Sequence, residues 1–396
     1  MTAYQTRVLQ PTEYRAANEL FVRCLHRTPD SDENWAKIAP SYEPGRVFGT
    51  LAGDEVVGTA LSYPSELSVP GGRRVPAALV SRVGVRADHT RRGVLTELMR
   101  AQLSTLAEPV AVLHASEAMI YGRFGYGVAA RERSYTVDSR RAALRPEVPA
   151  GGSVRMVTGD KLWEQVSATH ERIDSRRPGQ VRRPAYLWAN SQVWVANHGT
   201  NTVGAVHTGP DGDDGYVIYA AGSEDDGGVL DIFDFHTASP LAWAGLWRYL
   251  LSVDLVSRIR AWDRPVDEAV EWLLVDRRTV RVDRMDDDLW LRLVDVPAAL
   301  AARDYGGAES VVIEVRDALL PGNAGRYQIG PDKVIRTEAP AQLALDVDTL
   351  SALYLGDTRA SMLAEVGRLD VLDPAALRVA DQLFTTAVVP WVGTGF

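Results

Sequence analysis

The alternation of apolar and polar residues divides the N-terminal part of the chain into short strands and amphipathic helices. The stretch "TRVLQ" predicts a strand, and the helical pattern that follows it has one apolar face. That face consists of Tyr14, Ala17, Leu20, Phe21 and Cys24. Alternating residues in "VFGTLAGDEVVGTALSYPSELSV" and "AALVSRVGVRA" predict further strands, with "AGDE" and "VPGG" as turns. An amphipathic helix starts near Arg91, and "PVAVLHAS" predicts a short buried strand. This order predicts a small α/β domain that ends near residue 140, and we assign it residues 1–145.

A second block, 146–288, repeats this order at low resolution. After a helical pattern, strands are predicted at "QVWVAN", "TVGAVHT", "GYVIYAA" and "GVLDIFDFHT". The glycine-rich "TGPDGDDGYV" predicts a hairpin turn. A helix follows in "PLAWAGLWRYLLSVDLV", where Pro240 suits the first turn because that position needs no backbone N–H.

The stretch "RMDDDLWLRLVDVPAALAARDY" predicts a boundary to a third block, 289–396. A helix is expected over 296–303, strands at "SVVIEVRD" and "GRYQIG", and helices at "DVDTLSALYLG" and "DPAALRVADQLFT". The fold class is therefore α/β in each of the first two blocks and α+β in the third.

Length and charge narrow the class of protein. The chain has 396 residues, enough for two or three domains. It contains no apolar run long enough for a membrane span and no signal-peptide core, so a cytoplasmic location is the simplest expectation. Its single cysteine, Cys24, excludes an internal disulfide. The net charge of −9 argues against nucleic-acid binding and leaves room for a cationic substrate.

The most informative stretch is "LVSRVGVRADHTRRGVLTELMRAQL". A strand runs to Val85, and Arg91, Arg92 and Gly93 open an amphipathic helix. Free N–H groups and the dipole at a helix start attract anions, and arginines add charge-assisted hydrogen bonds, so a pyrophosphate could bind here. The motifs of a Walker loop and of a dinucleotide-binding turn are both missing. The alternative is a basic first turn on a solvent-exposed face.

This stretch, followed by a strand and "ASEAMIYGRFGYG", resembles the GNAT N-acetyltransferase superfamily. The family pattern is Arg/Gln-x-x-Gly-x-Gly/Ala, and the chain departs from it at Thr90 and Leu95. With the terminal Phe396, the whole chain is similar to the Eis group (enhanced intracellular survival acetyltransferases). The resemblance implies two GNAT-like domains, the second without the cofactor motif, and a third domain similar to sterol carrier proteins. It also implies a homohexamer.

The resemblance further implies acetyl-CoA as co-substrate, no metal, and a set of site residues. Tyr121 would be the general acid, and the C-terminal carboxylate of Phe396 would be the general base. The residues that would hold acetyl-CoA are Val83, Gly84, Val85, Arg91, Arg92, Gly93, Val94, Leu95, Thr96, Ser116 and Glu117.

Direct acetyl transfer to an amine through a tetrahedral intermediate fits these roles. It requires a neutral nucleophile, donors for an oxyanion and a proton for the leaving thiolate. A tyrosine, with a pKa near 10, can protonate a thiolate of intrinsic pKa about 8.5. His89 and His114 lie near the motifs, and we expect both to be structural. The apolar tail "VVPWVGTGF", anchored by Trp391, could carry the Phe396 carboxylate to the active site.

An acidic segment, "DSDENW", is the candidate substrate wall. Asp30, Asp32 and Glu33 could attract ammonium groups and Trp35 could stack on a cation, although an ordinary solvated loop explains the segment equally well. The expected substrate is a polycationic amine, of the aminoglycoside type, or a lysine side chain. The alternative function is a lipid or sterol carrier whose acyltransferase part is vestigial.

Overall fold

The computed structural model describes residues 4–159, 161–199, 201–224 and 227–396. The described part of the first domain contains six strands and four α-helices. The strand, helix and buried-strand patterns around Tyr14 and Arg91 are confirmed. The elements are β1 (Tyr4–Val8), α1 (Tyr14–Cys24), α2 (Asp32–Ile38), β2 (Val47–Ala52), β3 (Glu55–Ser68), β4 (Arg74–Val85), α3 (Val94–Leu103), β5 (Val110–Leu113), α4 (Ala118–Tyr121) and β6 (Gly127–Asp138).

The second block continues the alternation of strands and helices. The predicted hairpin is confirmed, since Gly209 pairs with Gly212, and Pro240 occupies the first turn of its helix as predicted. The elements are β7 (Ser153–Val157), α5 (Lys161–Ile173), α6 (Ala185–His198), β8 (Thr202–Gly209), β9 (Gly212–Glu224), β10 (Gly227–Thr237), α7 (Pro240–Leu251), β11 (Val256–Pro265), α8 (Val270–Leu273) and β12 (Val280–Leu293).

One strand prediction in this block is wrong. The stretch "QVWVAN" lies inside α6, a helix of 14 residues. A short apolar run fits a buried strand and a buried helix equally well, and length decides between them. The residues before it, from Ala185 onward, extend the run to helical length, and Pro184 precedes the first turn.

The third block forms a separate five-stranded sheet with helices around it. Its strand order is β15-β14-β13-β16-β17. The elements are α9 (Val296–Ala302), β13 (Val311–Arg316), β14 (Gly325–Ile329), β15 (Val334–Arg336), β16 (Leu343–Asp346), α10 (Val347–Leu353), α11 (Ala360–Glu365), β17 (Leu369–Val371) and α12 (Pro374–Phe384). The helix expected over 296–303 is therefore confirmed.

One 12-stranded sheet joins the first two blocks, in the order β1-β2-β3-β4-β5-β12-β6-β11-β10-β9-β8-β7. The strand β12 lies between β5 and β6, so a strand from the end of the second block completes the sheet of the first. It pairs with β6 from Val280 to Leu291 and with β5 from Trp290 to Leu293. The boundary that we predicted after residue 288 falls inside this strand.

The strands β4 and β5 diverge in the middle of that sheet. Their parallel pairing ends at Leu79 and Val112, although β4 continues to Val85. A bulge in β4 increases the divergence, since Arg82 has a φ of 52° and the pairing with β3 shifts register there. The Arg82 guanidinium donates to Tyr63 Oη at 3.0 Å and to Asn18 Oδ1 at 2.7 Å, which fixes the bulge. The diverging strands leave the backbone of β4 after Leu79 without a β5 partner.

The first and third domains meet closely at Gly127, the first residue of β6. A Cβ atom at this position would overlap the carbonyl oxygen of Asp348 and the amide nitrogen of Ala352, both within α10. Neither backbone atom can move without shifting the helix, so the contact requires glycine.

We predict that Gly127→Ala lowers the free energy of unfolding by about 2 kcal/mol or more, because the added methyl group forces α10 away from β6. Chemical denaturation monitored by circular dichroism measures this change. Gly122→Ala is the matched control, since a Cβ atom there meets nothing within 4 Å. Equal stabilities of the two variants would contradict this account of the interface.

Candidate active site

The turn between β4 and α3 has the geometry of an anion site. Gly93, with a φ of 83°, precedes α3, and no side chain in the described part of the chain caps the free N–H groups of the first helical turn. Arg91 and Arg92 are exposed beside it. The position of a Gly93 Cβ is open space, so a ligand can approach the backbone there. The turn therefore has the room and the donors that a phosphate group needs.

His89 stiffens this turn. The residue is only 8% exposed, and its Nδ1 lies 2.8 Å from Tyr4 Oη. Its Nε2 lies 2.7 Å from Arg86 Nη2. Both ring nitrogens therefore have partners within the protein, which agrees with the structural role expected for this histidine.

The remaining residues of the predicted cofactor site extend from this turn along β4 and α3. Val83, Gly84 and Val85 lie on the part of β4 that β5 does not pair, and Gly84 packs against Cys24 of α1. Val94 is buried at the start of α3. Leu95 and Thr96, the next two positions of α3, are partly exposed.

Tyr121 closes the helix α4 at the same gap between β4 and β5. It packs in one cluster with Val80 of β4 and Leu113 of β5, and its ring lies 5.9 Å from that of Tyr126. Burial, with a contribution from Glu117, raises the pKa of Tyr121 to about 12. The hydroxyl therefore keeps its proton at neutral pH. Glu117 and the preceding Ser116 are exposed at the end of the β5 loop.

A cavity of about 1100 Å³ opens where the first two domains and the C-terminal tail meet. Its walls include residues of α1, α2, α5 and α6, of β4, β6 and β9 to β12, and the last residues of the chain. Tyr121 is not part of these walls. The tail residues that line the cavity are Trp391, Val392, Gly393, Thr394, Gly395 and Phe396.

The tail reaches the cavity because Trp391 anchors it. The indole Nε1 donates to the carbonyl of Asp263 at 2.8 Å, and the Trp391 amide donates to the carbonyl of Pro178 at 2.9 Å. The indole also stacks on His236 at 4.9 Å, and it is 5% exposed. The apolar end of the chain is therefore docked on the second domain and does not extend into solvent.

His114, at the end of β5, holds the tail from the side of the first domain. Its Nε2 donates to the carbonyl of Thr394 at 3.1 Å, and its ring lies 4.6 Å from that of Phe396. Its Nδ1 faces Asp288 Oδ1 at 3.2 Å. Burial opposes protonation of His114, but the hydrogen bond and the charge of Asp288 outweigh it and raise the pKa of the imidazole. His114 therefore connects the first domain to the tail.

Two carboxyl groups, those of Glu132 and Asp263, lie in the wall of the cavity. Burial, then the nearby charges of Asp263 and Asp288, raise the pKa of Glu132 to about 9. Burial and Asp288 also raise the pKa of Asp263. Asp263 has a φ of 53° beside a bulge in β11, a strained conformation that turns this residue toward the cavity that it lines. Asp263 is exposed to the space of the cavity. At neutral pH Glu132 holds a proton.

The acidic segment of the first domain contributes less than we expected. Asp30 lines the cavity together with Ser31, whereas Asp32, Glu33 and Trp35 do not. The reason is that α2 begins at Asp32, so successive residues point to different sides. Asp32 pairs with Arg15 on the surface, Glu33 pairs with Lys37, and Trp35 packs against Tyr42.

The second domain supplies wall residues that we did not identify from the sequence. They include Arg183, Asp234, Phe233 and Trp262, together with Asp263. The available signal was the presence of charged residues within the apolar strands "VLDIFDFHT" and "RIRAWDRP". Such charges at strand positions that should be buried require partners or a cavity.

Comparison with known proteins gives the family. Two different GNAT acetyltransferase domain families match the chain, one at residues 5–129 and the other at 179–293. A sterol carrier protein domain family matches residues 296–393. The N-acetyltransferase Eis of Mycobacterium tuberculosis is 35% identical over 91% of both chains. The chain belongs to the Eis family of GNAT N-acetyltransferases.

Further relatives agree with this assignment. The crystal structure of Eis1 from Mycobacterium abscessus matches all of both chains with a TM-score of 0.90 and 37% identity. A Streptomyces avermitilis protein described as an "uncharacterized N-acetyltransferase" is 37% identical over 98% of this chain and 99% of its own. The protein is therefore an N-acetyltransferase with two GNAT domains and a sterol-carrier-like domain, and GNAT acetyltransferases use acetyl-CoA.

The second GNAT domain lacks the anion turn for a physical reason. Its counterpart of α3 is α7, where Pro240 has no N–H and Ser239 Oγ accepts from the Ala242 amide at 3.1 Å. These two residues satisfy or remove the donors that a phosphate would need. The parallel strands β10 and β11 pair over five positions, from Gly228 to Ile232, whereas β4 and β5 pair over only three before they diverge.

Two further properties concern the described residues alone. No helix among them combines the length and the apolar character that a bilayer span requires. They also contain no group of three or more histidine, cysteine or acidic side chains arranged to hold a metal ion.

We predict that Glu132→Gln weakens the pH dependence of stability. The folded pKa of Glu132 is raised from 4.5 to about 9, so its contribution to stability is complete below pH 4.5 and is lost as the pH rises toward 9. Glutamine keeps a neutral amide at this position, and thermal denaturation between these pH values should show a shallower decrease in Tm. Glu147→Gln, at an exposed position, is the control that should leave the slope unchanged. Parallel curves for wild type and Glu132→Gln would contradict the assignment.

Proposed function

We propose that this N-acetyltransferase acetylates amino groups of polycationic substrates, either aminoglycoside-type compounds or lysine side chains. The observation that supports this proposal is the meeting of Phe396, His114 and acidic wall residues around one cavity. The terminal residue contributes a carboxylate that can accept a proton, and the acidic wall attracts cations.

The charges of the wall favour a cationic ligand. Arg264 and Arg284 line the cavity, but each donates to its own carboxylate, Glu268 and Asp286 respectively. The carboxylates that line the cavity without an arginine partner in the described residues are Asp30, Asp263, Asp287 and Asp288. The lining also contains Arg183, which pairs with Asp234, and Arg27 and Arg82, which have no carboxylate partner in the described part of the chain. Four such carboxylates against two such arginines leave a negative surplus, which suits a substrate with several ammonium groups.

The residues on the acetyl-CoA side have complementary tasks. Acetyl-CoA supplies the acetyl group as an activated thioester. The N–H groups at the start of α3, with Arg91 and Arg92, bind phosphate oxygens, and the unpaired edge of β4 offers backbone donors near Val83 and Val85. Tyr121 holds a proton at its Oη that it can donate to a departing thiolate.

Phe396 supplies the base on the substrate side. An α-carboxyl group ordinarily has a pKa of about 3.5, which makes it a weak base. Phe396 is partly buried at the cavity, whose walls also include Asp263 and Asp288. The carboxylate can take the proton of the substrate ammonium directly or through one water.

Lipid carriage receives little support from the third domain. A cavity of about 500 Å³ in this domain is lined by charged residues, including Glu314, Arg316 and Asp317. An apolar lipid would leave these charges without water. The contribution of this domain that we propose is the delivery of the tail, which leaves α12 at Phe384 and ends in the active-site cavity.

A panel of acyl donors and amines tests the proposed function. We expect the enzyme to transfer the acetyl group of acetyl-CoA to an aminoglycoside such as kanamycin A and to poly-L-lysine. Transfer to neutral or singly charged amines should be slower. Release of the CoA thiol measures the rate. Absence of transfer to every amine, together with absence of acetyl-CoA binding in isothermal titration, would overturn the proposal.

We predict that one alanine appended after Phe396 reduces kcat at least about 100-fold, because it replaces the carboxylate at this point by a neutral amide. Steady-state kinetics with acetyl-CoA and kanamycin A measure the change. Phe396→Tyr is the control, since it keeps both the ring beside His114 and the terminal carboxylate, and its kcat should stay near that of wild type. An extended enzyme of normal activity would rule out the carboxylate as base.

We predict that Tyr121→Phe reduces kcat about 100-fold while the KM for acetyl-CoA changes by less than about twofold, because the hydroxyl acts on the leaving group and not in binding. Tyr126→Phe is the matched control on the neighbouring ring. The Tyr126 hydroxyl is buried without a hydrogen-bond partner in the structure, so its removal should not lower activity or stability. If the two variants had the same kcat, Tyr121 would not be the acid.

A further inference from the structure

Arg183 lies at the junction of the second domain and the C-terminal tail. It directly precedes Pro184 and the helix α6, and its side chain is only 3% exposed. Its guanidinium lies 5.0 Å from the centre of the Trp188 ring, which holds the planar group in place. A charged side chain at such a buried position needs specific partners.

Arg183 has two sets of partners that lie on different parts of the protein. Within the second domain its Nη1 donates to Asp234 Oδ2 at 2.5 Å and to Tyr216 Oη at 3.2 Å. On the tail its Nε donates to Thr394 Oγ1 at 2.6 Å, and its Nη2 donates to the carbonyl oxygen of Gly393. The fork of the guanidinium therefore connects β10 to the residues directly before the C-terminus.

Asp234 and His236 of β10 complete a cluster that we call the tail clamp, made of Arg183, Asp234 and His236. Burial opposes ionisation of Asp234, but the charge of Arg183 outweighs it and lowers the pKa of this carboxyl. Burial also lowers the pKa of His236. His236 Nε2 lies 3.0 Å from the Gly393 carbonyl and 2.9 Å from Arg183 Nη2, so it donates to the carbonyl or accepts from Arg183 according to its tautomer. In either case Arg183 and His236 both lie against this carbonyl.

The tail clamp contacts the bend at Gly393, which directs the last residues of the chain into the cavity. Gly393 has a φ of 58°, and a Cβ atom there would come close to the Trp391 indole, so the chain turns sharply over the anchored ring. After the bend, Thr394 meets Arg183 on one side and His114 on the other, and Phe396 follows two residues later. Movement of the Gly393 carbonyl would therefore displace the terminal carboxylate.

We propose that Arg183 is a positioning residue that sets the location of the Phe396 carboxylate in the active site. The inference rests on the proposed function, in which that carboxylate is the base. It also gives the second GNAT domain a role in the reaction, since a domain without an anion turn holds the terminus against the domain that has one.

A double-mutant cycle tests this role. Arg183→Lys keeps the charge beside Asp234 but loses the fork that reaches Thr394 and Gly393, and we expect kcat to fall about 10- to 100-fold with an unchanged KM for acetyl-CoA. In an enzyme that lacks Phe396, the same substitution should change kcat by less than about twofold, because the terminal carboxylate is then on Gly395 and no longer at the position that Arg183 sets. Rates are measured with acetyl-CoA and with kanamycin A or poly-L-lysine. Arg182→Lys is the control at the neighbouring exposed position.

Thr394→Val tests the same contact without touching the buried charges. It removes the oxygen that accepts from Arg183 Nε and leaves Arg183, Asp234 and His236 intact. We expect the same non-additivity with loss of Phe396. Thr386→Val should have normal activity, since among the described residues its hydroxyl bonds only to the carbonyl of Val388. A further readout is independent of activity: carboxypeptidase A should release Phe396 at least about tenfold faster from Arg183→Lys and Thr394→Val than from wild type.

The outcomes separate this inference from the proposed function. If loss of Phe396 abolishes activity but the Arg183→Lys effect is fully additive with it, Arg183 does not act through the terminus and only this inference is overturned. If loss of Phe396 leaves activity normal, the carboxylate is not the base and both proposals are overturned. Unchanged release of Phe396 by carboxypeptidase A in the two variants would also overturn the positioning role.

Discussion

The docking of Trp391 on the second domain is the contact on which the arrangement of the cavity depends. The indole is held by the Asp263 carbonyl, by the Pro178 carbonyl through its own amide, and by stacking on His236. Burying an indole of this size stabilises the docked tail by roughly 1.5–3 kcal/mol. The bend at Gly393 then directs the last residues between the first two domains. Without this anchor, a free C-terminus would fray as most termini do.

The continuous sheet provides the rigid frame for this docking. Because β12 lies between β5 and β6, the first domain cannot separate from the second without breaking a strand pairing in its own centre. His114 at the end of β5 and Arg183 before α6 therefore keep a constant separation, and the tail bonds to both. The division of tasks follows from this frame: one GNAT domain has the anion turn, the other holds the tail, and the third supplies it.

The sequence alone predicted the parts of the site that depend on local pattern. The anion turn at 91–93 was predictable because two arginines and a glycine at the start of an amphipathic helix form a local pattern. The apolar tail was equally visible. The tail clamp was not predicted, because the partners of Arg183 lie far from it in the sequence. Asp234 on β10 is more than 50 residues away, and Thr394 on the tail is more than 200 residues away. The strand predicted at "QVWVAN" was wrong because a short apolar run does not distinguish a buried strand from a buried helix.

The position of the Phe396 carboxylate relative to the reacting amine is the central claim of this account. A crystal structure of the protein with coenzyme A and a bound polyamine such as kanamycin A would measure it directly. We predict that a Phe396 carboxylate oxygen lies within about 3.2 Å of an amino nitrogen of the ligand, or is joined to it by one ordered water. A carboxylate that points away from the ligand, with another side chain of the protein in contact with that nitrogen, would contradict the account.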